Sequence, residues 1–332
     1  MTSKTAWSRE HAVTTTRALP LLLLIGFAVP AKPQASPLID DQVQQPYRIS
    51  VNLDLVVLQA TVRDRKGRFA SDLRAQDFEV YEDGVRQSIR LFRHEDIPVT
   101  AGLVIDHSGS MRRKLPDVII AARTFVQFSS PEDEMFVVNF NDSVTLGLPA
   151  AIRFTNRPDD LARAISNIPA TGKTALYDAV VASLEQLQAG SRNKKALIVV
   201  SDGGDNASTH SMAEALKLAD QSGALVYAIG IFDDQDPDWK PAVLRRLARS
   251  TGGEAFFTSQ LNEVTAICER IARDIRHQYT IGYVSSNRAK PGAWHPVRVV
   301  ARPTGKVKLF VRTRSGYIAA DESPPTREDG TK

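Results

Sequence analysis

Two stretches of the chain show the alternation of apolar and polar residues that is typical of half-buried strands. The first begins at Tyr47, and one face of its opening strand is formed by Val51, Leu53, Leu55 and Val57. Asp83-Gly84 then lies between two further apolar alternations, and both residues tolerate the left-handed backbone angles of a tight hairpin. The second stretch contains the predicted strands Tyr279–Tyr283, Val297–Val300 and Val307–Val311. We therefore predict β segments over 47–97 and 278–320.

Between these segments the pattern changes, because apolar strands alternate with stretches of helical period. The predicted strands are Val99–Ile105, Met135–Phe140, Ala196–Val200, Ala224–Ile231 and Ala255–Thr258. Strands that are apolar throughout and separated by helices indicate a parallel sheet covered on both faces. Residues 98–277 are therefore predicted to form an α/β domain with a doubly wound, mostly parallel sheet.

The two β segments are about 50 and 45 residues long, and a sheet of that size buries too little apolar surface to be stable alone. Together they approach the size of a sandwich of about 100 residues. We therefore expect one small β-sandwich domain, into which the α/β domain is inserted.

The N-terminus has the pattern of an export signal. Three basic residues precede an apolar run of about 14 residues, and the run ends in small residues at Val29 and Ala31. An uncleaved transmembrane anchor is the alternative, although about 20 residues are needed to span a bilayer. We predict a signal peptide at 1–31, a linker at 32–46 and a disordered tail at 321–332. The mature protein is then periplasmic or secreted, with no stable membrane span.

The amino-acid composition excludes several classes of function and of site. The 42 basic residues nearly balance the 38 acidic ones, which argues against nucleic-acid binding because such proteins concentrate cationic charge. The single cysteine, Cys268, excludes an internal disulfide and a cysteine-based zinc site. Cys268 continues a helical apolar stripe, so we expect it in the core.

Oxygen-bearing side chains follow the apolar strands of the α/β region. Asp106, Ser108 and Ser110 come directly after the first strand in a D-x-S-x-S motif. Thr174 lies in a loop that opens a helix, and Asp202 follows the strand that ends at Val200. Ligands bind at this edge of open α/β sheets, and hydroxyl and carboxylate oxygens suit Mg²⁺. A helix cap is the alternative reading of a lone D-x-S-x-S.

These five residues resemble the metal-ion-dependent adhesion site of von Willebrand factor type A domains, and the resemblance covers about 98–275. The flanking stretches DFEVYEDGVRQSI, QYTIGYVSS and VRTRSGYIA resemble those of a secreted bacterial VWFA-related family first named from acidobacteria. The resemblance implies that the five residues bind Mg²⁺, with Mn²⁺ or Ca²⁺ as alternatives. It also implies that a protein partner supplies an Asp or Glu to the metal.

Residues near the motif are candidates for the partner-binding rim. They are Met111, Asn141, Tyr177 and Asp205, together with the acidic loop 233–238. For Asp205 a role in a turn or cap is favoured over assistance to the metal through a bound water. A solvated loop is the favoured reading of 233–238. We expect His107 to be a surface side chain and His277 to serve packing. The basic run 112–114 is expected to be a solvated face, with steering of an acidic partner as the alternative.

The sequence thus favours an exported, non-enzymatic protein-binding module. The first alternative is a structural scaffold with a vestigial metal site. The second is a metal-assisted hydrolase, which is disfavoured because the sequence offers no positioned general base.

Overall fold

The computed structural model describes residues 55–94, 96–232, 239–287, 292–303 and 308–319. The predicted signal peptide, linker, tail and acidic loop 233–238 lie outside the described residues. In the described part, no helix is both long and apolar enough to cross a membrane.

Antiparallel strands form the first β segment and the second. The first segment contains β1 (Leu55–Asp64), β2 (Phe78–Glu82), β3 (Val85–Gln87) and β4 (Ile89–Arg93). A central α/β region follows, with strands β5 (Val99–Asp106), β6 (Glu134–Phe140), β7 (Val144–Leu146), β8 (Lys194–Ser201), β9 (Leu225–Ile231) and β10 (Ala255–Thr258). The second β segment contains β11 (Gln278–Val284), β12 (Trp294–Ala301), β13 (Leu309–Arg312) and β14 (Gly316–Ile318).

The central sheet has the order β10-β9-β8-β5-β6-β7, and every neighbouring pair is parallel except β6 with β7. Every residue of β5 and of β9 is buried, as expected of strands covered on both faces. The helices are α1 (Leu115–Gln127), α2 (Pro158–Ser166), α3 (Leu176–Gln188), α4 (Met212–Ser222), α5 (Pro241–Thr251) and α6 (Leu261–Arg276). Helix α1 packs against α2 and α6, while α4 packs against α3 and α5. The predicted doubly wound, mostly parallel sheet is confirmed.

The two β segments share one core. One antiparallel sheet has the order β13-β1-β11-β4, and the other has the order β14-β12-β2-β3. Each sheet takes two strands from each segment, so neither segment forms a sheet alone. Leu58 and Val80 from the first segment lie in the same buried cluster as Ile281 and Val299 from the second. The predicted sandwich is therefore confirmed.

The inner face of β1 is the opposite of the one suggested by the sequence pattern. Leu55 and Val57 are 41% and 39% exposed, whereas Val56 and Leu58 are buried. Both faces of this strand carry apolar residues, so the alternation alone does not decide which face packs. The hairpin prediction is confirmed, because Asp83 and Gly84 have φ angles of +50° and +81° between β2 and β3.

Two smaller predictions also hold. Cys268 is buried in the core of the α/β region, where burial raises its pKa to about 12. His277 packs, since its ring stacks on Phe69 with 4.7 Å between ring centroids.

A buried ionic network joins the sandwich to the α/β region. Asp274 on α6 has no exposed surface, and its carboxylate accepts hydrogen bonds from Arg63 of β1 at 2.8 Å and from Arg312 of β13. The hydroxyl of Tyr227 donates to the same carboxylate at 2.6 Å. Both arginines also pair with Glu254. The last helix of the inserted region is thereby bonded to two strands of the sandwich.

We expect the double variant Arg63→Met/Arg312→Met to lower the free energy of unfolding by about 3–5 kcal/mol, because it leaves the buried Asp274 carboxylate without a cation. The matched control is Arg68→Met/Arg163→Met, which breaks two exposed pairs and should cost far less, because exposed ion pairs contribute little to stability. Urea unfolding of both variants measures the difference. Equal losses would show that the network contributes no more than surface pairs do.

Candidate metal site

Asp106 is the last residue of β5, at the carboxyl edge of the parallel sheet. Its side chain has no exposed surface. Oδ1 accepts a hydrogen bond from the backbone N–H of Ser108 at 2.8 Å, and Oδ2 accepts one from the Ser201 hydroxyl at 2.6 Å. The short loop after β5 and the end of the neighbouring strand β8 thus fix the orientation of this carboxylate.

The two serines of the motif connect this loop to Asp202. The hydroxyls of Ser108 and Ser110 lie 3.1 Å apart, and the Ser110 hydroxyl donates to Asp202 Oδ2 at 2.5 Å. Asp202 follows β8 directly and is also fully buried, while Ser110 is partly exposed. Four of the five predicted ligands therefore lie in one hydrogen-bonded group.

Thr174 lies on a neighbouring loop, which hydrogen bonds join to the loops that carry the group. Its N–H donates to Asn206 Oδ1 at 2.8 Å, and its carbonyl accepts from the N–H of Asn206 at 2.9 Å. The loop after β5 that carries Ser108 and Ser110 is called the serine loop. The carbonyl of Gly172, two residues before Thr174, accepts a hydrogen bond from the N–H of Gly109 in this loop. Gly172 has a φ of +83°, and a Cβ there would lie 1.9 Å from Asp142 Oδ2. This position therefore requires glycine. The hydrogen bond at Gly172 holds the threonine loop, which carries Thr174, against the serine loop.

The charges of the group favour a cation. Burial and the neighbouring Asp202 carboxylate raise the pKa of Asp106 to about 7. Two buried carboxylates destabilise each other unless positive charge lies between them. Two carboxylates and three hydroxyls are the oxygen donors that Mg²⁺ and similar hard cations prefer. The donor types present therefore fit a divalent cation, which Asp106, Ser108, Ser110 and Asp202, with Thr174 on the adjacent loop, would hold.

One residue that the sequence analysis assigned to the rim does not lie there. Met111 has no exposed surface and belongs to the core cluster of the α/β region. It ends the short 3-10 helix Gly109–Met111, which turns its side chain inward beneath the serine loop. A partner cannot contact a buried side chain, so the assignment of Met111 to the rim is wrong.

The other rim candidates lie on adjacent loops. Asn141 follows β6 and is partly exposed, and its carbonyl accepts from the N–H of Ala175 at 2.8 Å. Tyr177 is partly exposed in the first turn of α3. The Asp205 carboxylate accepts from the Ser208 hydroxyl at 2.5 Å and from the N–H of Tyr177 at 3.4 Å. Asp205 thus has contacts typical of a turn or cap, which is the role that the sequence favours for it.

His107 is a buried residue beside the site, and the sequence reasoning missed its structural role. It is 1% exposed, so the expectation of a surface side chain is wrong. Asn139 donates through Nδ2 to the carbonyl of Ala164, which leaves its Oδ1 to accept from His107 Nε2 at 3.1 Å. The carbonyl of His107 accepts from the N–H of Thr171 in the threonine loop. Asn139 in an otherwise apolar strand was the signal for a buried polar partner.

The basic run 112–114 is only partly solvated. The Arg112 guanidinium donates to the carbonyl of Ala170 at 3.0 Å, and the buried Lys114 ammonium donates to the carbonyl of Ile231 at 2.9 Å. These two cations connect the loop after β5 to the loop at Ala170 and to the end of β9, because each donates to a backbone carbonyl there. The expectation that the whole run is a solvated face is therefore wrong for Lys114.

A family model described as von Willebrand factor type A domain matches residues 102–270. This range runs from β5 to α6 and contains all five predicted ligands. No curated protein matches the sequence significantly.

Solved structures with a similar fold come from several organisms. A von Willebrand factor type A protein from Catenulispora acidiphila is 14% identical, covers 81% of this chain and 74% of its own, and gives a TM-score of 0.48. The vWF domain of the type V pili tip protein Mfa5 from Porphyromonas gingivalis is 15% identical over 54% of this chain and 95% of its own, with a TM-score of 0.45.

A third similar structure is proximal thread matrix protein 1 from the mussel byssus, with a zinc-occupied MIDAS motif. It is 18% identical over 60% of this chain and 50% of its own, with a TM-score of 0.48. Identities this low concern the fold and carry no information about what this chain binds.

We expect Mg²⁺ to stabilise the protein by about 2.7 kcal/mol when its concentration is 100 times the Kd, because only the folded site binds it. Asp106→Asn should abolish this gain, and in chelator it should be at least as stable as the original chain because one of two buried negative charges is gone. Urea unfolding in chelator and in Mg²⁺ measures both effects.

The control is Asp159→Asn, which changes an exposed carboxylate in the first turn of α2. It should leave the Mg²⁺ effect intact. A gain of equal size in Asp106→Asn would contradict the assignment of Asp106 as a ligand.

Proposed function

Since the chain belongs to the von Willebrand factor type A domain family, whose domains are generally adhesion or protein-interaction modules, we propose that it is a non-enzymatic module that binds an acidic group of a protein partner through a divalent cation. The observation that carries the proposal is the group formed by Asp106, Asp202 and the two motif serines at the carboxyl edge of the sheet. Edges of this kind are where open α/β sheets bind their ligands.

The chemistry of the donors supports an acidic ligand. The two carboxylates balance the charge of a divalent cation without exceeding it. The three hydroxyls are neutral and donate little electron density to the metal. The ion in such a set stays electrophilic, so it attracts a further anionic oxygen. Ser110 is the partly exposed member of the group and lies on the side that a partner can approach. The protein supplies orientation and charge, and the cation supplies the attraction for a carboxylate.

We assign the rim around this cation to Asn141, Tyr177 and Asp205. Asn141 and Tyr177 present a side-chain amide and an aromatic ring next to the threonine loop, and both are partly exposed. Residues of these types give a partner hydrogen bonds and apolar contact at low entropic cost. Mg²⁺ is the cation we propose, with Mn²⁺ or Ca²⁺ as substitutes.

We further propose that the chain is exported and belongs to the secreted bacterial VWFA-related group. The N-terminal signal pattern supports export. The three stretches that resemble that group lie in β2 to β4, β11 and β13 to β14, and all of these strands belong to the sandwich. The proposed place of action is the periplasm or the outside of the cell, and the proposed domains are 47–97 with 278–320, and 98–277.

The proposal predicts that a carboxylate binds next to the metal. With Mn²⁺ as the ion, N-acetylglutamate amide should show strong paramagnetic broadening of its side-chain proton signals, because its carboxylate approaches the ion. N-acetylglutamine amide is the matched control, since it has the same shape and no charge. Proton NMR of both compounds with the Mn²⁺-loaded chain measures the difference.

Asp202→Asn should lose the broadening, and Asp159→Asn should keep it. Equal broadening by the two compounds would refute selection of an acidic group. Broadening that persists in Asp202→Asn at the same Mn²⁺ concentration would place the metal elsewhere.

A further inference from the structure

A second polar cluster lies inside the β sandwich. Glu82 is the last inward-facing residue of β2, and His295 is an inward-facing residue of β12. In the register of these strands Val299 pairs with Val80 and Val297 with Glu82, so His295 is the next inward position beyond Glu82. The apolar rows on both strands therefore end in a carboxylate and an imidazole. Their side chains are 0% and 7% exposed.

Asp83 completes the cluster from the hairpin turn. Its φ of +50° and the hydrogen bond from its N–H to the carbonyl of Pro296 fold the turn back towards β12. Asp83 Oδ2 lies 2.7 Å from His295 Nδ1, and Glu82 Oε1 lies 3.9 Å from the same nitrogen. One ligand atom from each of the three residues lies within 4.8 Å of the others.

Surrounding donors hold both carboxylates in place. The Ser285 hydroxyl donates to Glu82 Oε1 at 2.5 Å, and the Tyr317 hydroxyl donates to Glu82 Oε2 at 3.1 Å. Asn287 Nδ2 donates to Asp83 Oδ2 at 2.9 Å. Residues that orient the ligands in this way are a regular feature of metal sites.

The imidazole of His295 is oriented towards the two carboxylates. Its Nδ1 is the nitrogen that faces Asp83 and Glu82, whereas its buried Nε2 has no hydrogen-bond partner in the described structure. Buried polar atoms normally have partners, so a ring nitrogen left without one is unusual. No other hydrogen bond in the described part of the chain therefore competes with the carboxylates for this ring.

The charge of the cluster identifies the ligand as a cation. In the described part of the chain, no lysine or arginine forms an ion pair with Glu82 or Asp83, and His295 is their one basic neighbour. A fully buried carboxylate is costly unless positive charge compensates it. The open side of the cluster is at Asp83, whose side chain is 30% exposed, so an ion can enter from solvent there.

We propose that Glu82, Asp83 and His295 form a second metal site, which takes a divalent transition-metal ion of the Zn²⁺ type. Imidazole nitrogen and carboxylate oxygen are both ligand types that zinc accepts. In a tetrahedral zinc site ligand atoms lie about 3.4 Å apart, which is between the 2.7 Å and 3.9 Å found here. The site differs from the serine-rich one, whose ligands are all oxygens. Its ion cross-links the β2–β3 hairpin to β12 at one end of the sandwich core.

The experiment uses the chain with Asp106→Asn and Asp202→Asn, so that the serine-rich site contributes nothing. Calorimetric titration of Zn²⁺ should show one ion per chain, and Zn²⁺ should raise the Tm. Adding His295→Gln should weaken Zn²⁺ binding by at least about 100-fold, because removing a ligand costs more than removing a residue that orients one. The result does not depend on the proposed partner-binding function.

Two further variants keep the test decisive. Asp83→Asn preserves the turn, because asparagine tolerates a positive φ, and it should weaken Zn²⁺ binding at least about 10-fold even if His295→Gln fails to fold. His210→Gln is the matched control, since His210 also pairs with an aspartate at 2.7 Å but lies on the surface. Zn²⁺ affinity that survives in Asp83→Asn and His295→Gln, or that is lost in His210→Gln alone, would overturn the proposal. The absence of Zn²⁺ binding by the chain that carries only Asp106→Asn and Asp202→Asn would also overturn it.

Discussion

The pairing of β11 with strands of the first β segment is the constraint on which the rest of the structure depends. β11 follows the last helix of the inserted region and lies between β1 and β4. The chain leaves the sandwich after β4 and returns to it at β11, so this pairing fixes both ends of the insertion next to each other. Because neither segment has a sheet of its own, the sandwich forms only when residues at least 187 positions apart in the sequence pair with each other. Contacts of such separation carry a high entropic cost.

The ionic network around Asp274 determines how the sandwich and the inserted region are arranged where they meet. A fully buried carboxylate must be paired, and its partners Arg63 and Arg312 come from two different strands of the sandwich. Such networks specify one arrangement of the elements that they join, because any other arrangement leaves a charge buried without a partner. Helix α6 is held in this way at its C-terminal end, while its apolar face packs on α1. The sandwich is thereby bonded to the helix that closes the α/β core.

The two candidate metal sites use one physical principle in different surroundings. At each site strands place carboxylates out of water, and neighbouring hydroxyls or backbone N–H groups orient them. The site at the carboxyl edge of the parallel sheet has oxygen donors alone and a partly exposed serine, which suits a hard cation and an approaching ligand. The site in the sandwich includes an imidazole and is enclosed except at Asp83, which suits a borderline-soft cation that stabilises the fold.

The limits of the sequence pattern are visible at particular residues. His107 lies within the D-x-S-x-S motif, where local pattern suggests a surface position, but the partner that buries it is Asn139 on the neighbouring strand. Met111 follows the motif in sequence and yet lies in the core, at the end of the short 3-10 helix Gly109–Met111. Glu82 and His295 are more than 200 residues apart, and only the register of β2 with β12 brings them together.

By itself, the sequence determined the alternation of strand and helix, the parallel sheet and the five oxygen-bearing residues at its edge. These follow from apolar periodicity and from motif spacing, which act over a few residues or along one loop. Tertiary structure alone decided the buried face of β1, the positions of His107 and Met111, the Asp274 network and the cluster at Glu82. Each of these depends on which distant strand packs against the residue, and burial and the pairing of charges settle that choice when the two β segments and the inserted sheet come together.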